Sequence, residues 1–115
     1  MKRIPVSSIK TKAQHVAAHR KMWTEVIGII RRKQVSDIFT IKYTAFNKYF
    51  TGNLTGNCWG CNWDDLYGIC LFYCNCYYCC NGAWDGLYGL NCITDNKRAL
   101  FLARKILNMK IRGSK

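Results

Sequence analysis

All eight cysteines of this 115-residue chain fall within residues 58 to 93, and that clustering limits the possible folds more than any other feature. Trp, Tyr, Gly and Asn fill the space between them without a long regular period, so the segment cannot rely on a large apolar core and needs crosslinks or metal to hold its loops. The redox compartment decides which. The first residues, MKRIPVSSIKTKAQ, are basic but lack the apolar run of roughly 7 to 15 residues that follows in a secretory signal. The expectation is therefore a cytoplasmic, reducing environment and a metal. The most apolar stretch, Tyr67 to Cys80, is shorter than the roughly 18 residues of a membrane span and rich in cysteine, so no span is expected.

Two CxxC pairs stand out, Cys58/Cys61 and Cys76/Cys79, with 14 residues between them. A CxxC turn points two sulfurs to one side of a tight loop and supplies two corners of a tetrahedron, so two such pairs close a structural Zn²⁺ site. Cys70 and Cys74 form a CxxxC that can replace the second pair. Cys80 and Cys92 read either as ligands of a second zinc or as small buried hydrophobes. An iron–sulfur cluster ranks below zinc because no recognised cluster spacing is present. His15 and His19, four residues apart on a helix, have a metal-binding spacing, but Val16 stands where HExxH needs glutamate; His19 reads as a core histidine.

Outside the cysteine cluster the pattern is helical. Val16, His19, Trp23, Ile27 and Ile30, with Val26 beside them, form one apolar stripe, so the spacing predicts a helix over 12 to 33, with Thr11 able to cap it. Residues 1 to 11 read as a loose basic tail, interrupted by Pro5 and Ser7-Ser8. In the connector, 34 to 57, Phe39, Ile41, Tyr43 and Ala45 alternate as in a strand, while Phe39, Tyr43, Phe46 and Phe50 fit a helix; the β-branched and aromatic content favours a strand at the start. TGNLTGN, 51 to 57, is turn chemistry. After the cysteine-rich module, 58 to 93, a second helix is expected over 95 to 111, capped by Thr94 or Asp95, buried through Ala99, Leu102, Ala103 and Ile106, and stopped near Gly113. The expected architecture is α+β but mainly helical: one domain over 12 to 115, with amino- and carboxy-terminal amphipathic helices packed on a small irregular zinc-stapled module.

Charge is distributed unevenly around a formal net of +12. Residues 1 to 33 hold nine Lys or Arg against Glu25, and 97 to 115 hold seven and no acid. Residues 58 to 96 contain Asp64, Asp65, Asp85 and Asp95 and no Lys or Arg. Arg20, Lys21, Arg31, Arg32 and Lys33 on the first helix, with Lys97, Arg98, Arg104 and Lys105 on the last, can form one basic face for nucleic acid. The competing explanation is ordinary solvated helix faces, partly attracted to a negatively charged metal module. Catalysis finds little support: carboxylates are few, no GxSxG, P-loop or dinucleotide fingerprint is present, and an excess of cysteines points to a closed zinc site rather than a catalytic one.

The order HRKMW (19 to 23), CWGC (58 to 61), a cysteine at 70, CYYCC (76 to 80), DGLYG (85 to 89) and KRALFLARKILNM (97 to 109) resembles a family of small cysteine-rich hypothetical proteins of bacteriophages and prophages. The likeness spans roughly residues 15 to 110. Cys80 stands where that family tends to have proline, and the tryptophan expected soon after the GLY element is missing near Asn91. The resemblance implies a zinc-held fold and a phage context, and carries no biochemical activity. Size, charge and cysteine content also resemble the small basic cysteine-rich proteins of plant RNA viruses, which bind nucleic acid or suppress silencing. Two functions are therefore expected: a phage accessory protein gripping nucleic acid through its basic helices, or a host-protein-binding inhibitor of a bacterial defence or host machine. The second would use aromatic rings such as Trp59, Trp63, Trp84 and Tyr88, residues enriched at binding hot spots.

Overall fold

A computed structural model describes residues 2–54, 58–73 and 82–112. The first long helix, α1 (Lys12–Arg32), begins with a capping box: Thr11 Oγ1 accepts from the Gln14 amide at 3.1 Å, and Gln14 Oε1 accepts from the Thr11 amide at 2.9 Å. It ends where Lys33 turns left-handed at φ 54°. The expected stripe is buried, apart from half-buried Val16, and Met22 and Ile29 widen it. With so broad an apolar surface, α1 is the central helix, packed against α2 (Ile38–Tyr49), α3 (Trp59–Tyr67) and α5 (Asn96–Leu107).

The connector is helical from Ile38 to Tyr49, where a strand was expected at its start. Asp37 caps α2, its carboxylate accepting from the Phe39 amide at 3.1 Å and the Thr40 hydroxyl at 2.9 Å. Ile38, Ile41 and Ala45 face the core, so the members of the apparent alternation divide: Ile41 and Ala45 point inward, Phe39 and Tyr43 outward. A side-chain cap and a helical apolar stripe outweighed β-propensity, which depends strongly on context.

The amino-terminal segment is also more ordered than a loose tail. β1 (Ile4–Pro5) pairs in parallel with β2 (Phe50–Thr51), in the register Ile4 to Phe50 and Pro5 to Thr51. A short 3-10 turn follows at Val6–Ser8, and Val6 and Ile9 are buried in the main core. Two apolar anchors offset the entropy of ordering this basic stretch. Gly52, at φ 94°, makes the turn that the TGNLTGN sequence predicts.

The cysteine-rich region contains two short helices where only irregular structure was expected. α3 starts directly after Cys58 and stops at left-handed Gly68; α4 (Ala83–Tyr88) follows left-handed Gly82. Helix propensity is poor in WGCNWDDLY, and packing compensates, since Trp59 is fully buried against Phe50 at a centroid distance of 4.8 Å. α5 buries Ala99, Leu102, Ala103 and Ile106 as its spacing predicts. It ends at Leu107, short of 111, because the chain then pairs with the segment after α3. Ile111 bridges Phe72, the Tyr73 amide donates to the Lys110 carbonyl at 2.9 Å, and the Arg112 amide donates to the Leu71 carbonyl at 2.8 Å. Gly113 lies outside the described residues. Among those described, no helix is long and apolar enough to cross a membrane.

Candidate metal centre and basic face

Cys58 occupies the cap position of α3 and Cys61 lies in its first turn, so the first CxxC pair straddles a helix amino terminus, where exposed amides and the helix dipole favour thiolate. Cys70 approaches from the segment beyond α3. A Cβ placed on Gly60 would meet Cys70 Sγ at 3.0 Å, Phe72 Cδ2 at 3.1 Å and Cys58 Sγ at 3.5 Å, so both sulfurs crowd one point that only glycine leaves open. The Arg112 guanidinium holds the Cys70 backbone there, donating to its carbonyl at 3.2 Å. The fold thus brings Cys58 and Cys70 together around Gly60. Among the described residues, no three His, Cys, Asp or Glu side chains are arranged to hold a metal ion. Cys74, Cys76, Cys79 and Cys80, which include half of the preferred ligand set, lie outside the described residues.

The two histidines of α1 have different roles. His15 uses both ring nitrogens: Nδ1–H donates to the Thr11 carbonyl at 2.9 Å, and Nε2 accepts from Asn62 Nδ2 at 2.9 Å. It is fully buried, edge-on to the rings of Trp59 and Trp63, and ties α1 to α3. His19 donates from Nε2 to the Ile106 carbonyl at 2.8 Å, which leaves a lone pair on Nδ1. That atom is buried and, among the described residues, has no hydrogen-bond partner, as is true of Trp59 Nε1. Burial pushes the His19 pKa below its ordinary value, against the raising effects of its carbonyl contacts and of Cys58.

Cys92 lies apart from this cluster. Its amide donates to the Ser36 carbonyl at 3.0 Å, and its side chain is fully buried. Burial, then the charges of Asp37 and Asp95, push its thiol pKa up.

All nine cations expected on the basic face are exposed. Two hydrogen bonds fix how the helices carrying them align: Asn96 Nδ2 donates to the Ile30 carbonyl at 2.8 Å, and His19 reaches Ile106. α1 and α5 therefore run antiparallel. Arg31, Arg32 and Lys33 lie at the same end of the pair as Lys97 and Arg98, while Arg20 and Lys21 lie at the end of Arg104 and Lys105. Arg32 is partly diverted to Glu25 at 3.4 Å, which also takes Lys48 at 3.0 Å. Burial opposes ionisation of Glu25, but Lys48 and then Arg32 outweigh it and hold the carboxyl below its ordinary pKa.

The outward side of α5 contains a residue that charge alone did not reveal. Phe101 is 52% exposed, with the Arg98 guanidinium 5.3 Å and the Lys105 ammonium 5.9 Å from its ring centroid. The signal was present in the spacing, since Phe101 stands three residues after Arg98 and four before Lys105 and so shares their helix face. Of the aromatics expected to be free for binding, Trp59 is buried, Trp63 and Trp84 are half-buried, and Tyr88 is exposed. The sequence matches no family model, no curated protein and no solved structure.

Proposed function

We propose that this is a small basic, non-catalytic phage accessory protein that binds nucleic acid through its basic helices and is held together by structural zinc. The observation that carries this reading is the Arg98–Phe101–Lys105 array on a helix that carries no acid. Cations attract phosphate, and a ring flanked by them offers a face to a base or sugar. Arg104 and Lys97 on the same helix, and the cations in the middle and at the carboxy-terminal end of α1, extend the positive field.

Zinc belongs to the same reading. Cys58 and Cys61 with Cys76 and Cys79 would hold it, with Cys70 and Cys74 as the alternative pair. The described donors suit a thiophilic ion, because the sulfurs of Cys58 and Cys70 converge on the space that Gly60 leaves. Bound there, zinc would supply folding free energy and no reaction step.

A second reading, a host-protein-binding inhibitor, draws on the exposed rings of Phe39, Tyr43 and Tyr88. The two are separated by fluorescence anisotropy with a labelled oligonucleotide at low salt. Reversing charge with Arg98→Glu and Lys105→Glu should abolish measurable binding without changing the melting temperature, and Phe101→Ala should weaken it. Unchanged affinity in all three variants would defeat the nucleic-acid reading.

A further inference from the structure

α2 and α4 enclose a second feature, chemically unlike the basic face. A cavity of about 420 Å³ is lined by Phe39, Lys42, Tyr43, Phe46, Asn53 and Trp84, among others. That volume falls within the roughly 300–1,000 Å³ of small-ligand sites, and its make-up of apolar rings with a few polar groups matches them too. The rings are braced rather than loose. Phe39 stands edge-on to Trp84 at 5.5 Å and to Tyr88 at 5.3 Å, and the Lys42 ammonium lies 4.5 Å from the Trp84 centroid. Yet Phe39 is 49% exposed and Tyr43 71% exposed, so this aromatic wall faces solvent instead of completing the core.

An occupant must therefore be flat and apolar to lie against rings, and able to meet a positive charge at Lys42. α2 itself carries Lys42 and no acid, its Lys48 being paired with Glu25, in a chain of formal charge +12. Charge complementarity favours a polyanion whose phosphates are joined to planar rings. We infer that the cavity between α2 and α4 takes an unpaired nucleobase of a single-stranded nucleic acid, stacked among Tyr43, Phe46 and Trp84 with its phosphate near Lys42. This rests on the nucleic-acid reading above and sharpens it: the preferred ligand is a single strand, because bases paired in a duplex cannot enter. Asn53, at the turn after β2, adds an amide to the lining that can donate to or accept from a base edge.

The test uses the full-length protein and three probes of equal phosphate count: a 12-residue thymidine strand, the same backbone without bases, and a duplex. At one fixed salt concentration the base-bearing strand should bind at least tenfold more tightly than the abasic one and more tightly than the duplex, quenching tryptophan fluorescence. Tyr43→Ala removes an exposed ring and should erase about tenfold of that preference, leaving the melting temperature and the abasic affinity unchanged; Trp84→Phe should remove most of the quench. Equal binding to all three probes, unaltered by Tyr43→Ala, would overturn the cavity assignment and leave the basic face intact. Failure of all three probes to bind would overturn both, and would make a partner protein the better candidate for this wall.

Discussion

Gly60 links the packing of α3 to the cysteine chemistry in a single atom's worth of space. Its missing Cβ would lie 3.0 Å from a sulfur and 3.1 Å from the Phe72 ring, neither of which can withdraw easily, since Phe72 is buried and the Cys70 carbonyl is held by Arg112. Gly60→Ala should cost about 1–3 kcal/mol, the usual range for overpacking, read as a lower urea midpoint; an unchanged midpoint would mean that the sulfurs are freer than they stand. His19 gives a pH dependence of definite sign. Its folded pKa lies below the ordinary 6.5, so above that value both folded and unfolded states are neutral and the fold has its full stability. As pH falls below 6.5, the unfolded chain takes up a proton that the buried ring resists, and stability is lost progressively down to the folded pKa. Denaturation at pH 7.5 and pH 5 should show this loss, and His19→Gln should reduce it; an equal loss in the variant would assign the effect to other groups. The role of His19 as a core residue was legible from its place on the apolar stripe. The Nδ1 lone pair was not, because it depends on a carbonyl of α5 that is distant in sequence.

At the scale of elements, what could be read depended on whether local signals decided the outcome. α1 and the buried face of α5 were legible because their stripes are long and their helical period is unambiguous. Thr11 was legible as a cap, and Thr11→Ala should cost about 0.5–2 kcal/mol, measurable by thermal or chemical denaturation; no loss would mean that the capping box is not formed in solution. α2 was misread at its start because alternation and helical spacing coexist in FTIKYTAF, and the deciding residue, Asp37, lies just before the segment. α3 and α4 were hidden by poor propensity and the absence of a period, since what holds Trp59 in a helix is Phe50 from another element. The early end of α5 has the same origin. The Lys110 carbonyl accepts from the Tyr73 amide and the Arg112 amide donates to the Leu71 carbonyl, a pairing across a sequence separation that no local pattern reveals. β1 belongs to this class too, being a two-residue strand defined wholly by β2.

For the molecule as a whole, two charged helices packed antiparallel set Arg31, Arg32 and Lys33 at the same end of the pair as Lys97 and Arg98, although Arg32 turns to Glu25 and Lys21 to the Tyr49 ring. Within the described part of the cysteine-rich module, Trp59, Ala83, Leu87 and Cys92 join the main core, and Cys70, Leu71 and Phe72 form a small cluster of their own. Under the zinc reading proposed above, metal adds stability to this loop-rich segment. Native mass spectrometry of reduced, freshly purified protein should therefore find one zinc per chain, and Cys58→Ser should destabilise the fold severely; metal-free protein with an unchanged melting curve in the variant would refute the zinc assignment. The proposed function requires the exposed cations to act together on phosphate. Affinity for a nucleic acid, measured across a range of salt concentrations, reads that cooperation out. If about six of these residues contact phosphates, log K should fall with log salt at a slope near −5 for a duplex, shallower for a single strand. A flat dependence, or no binding even at low salt, would contradict it.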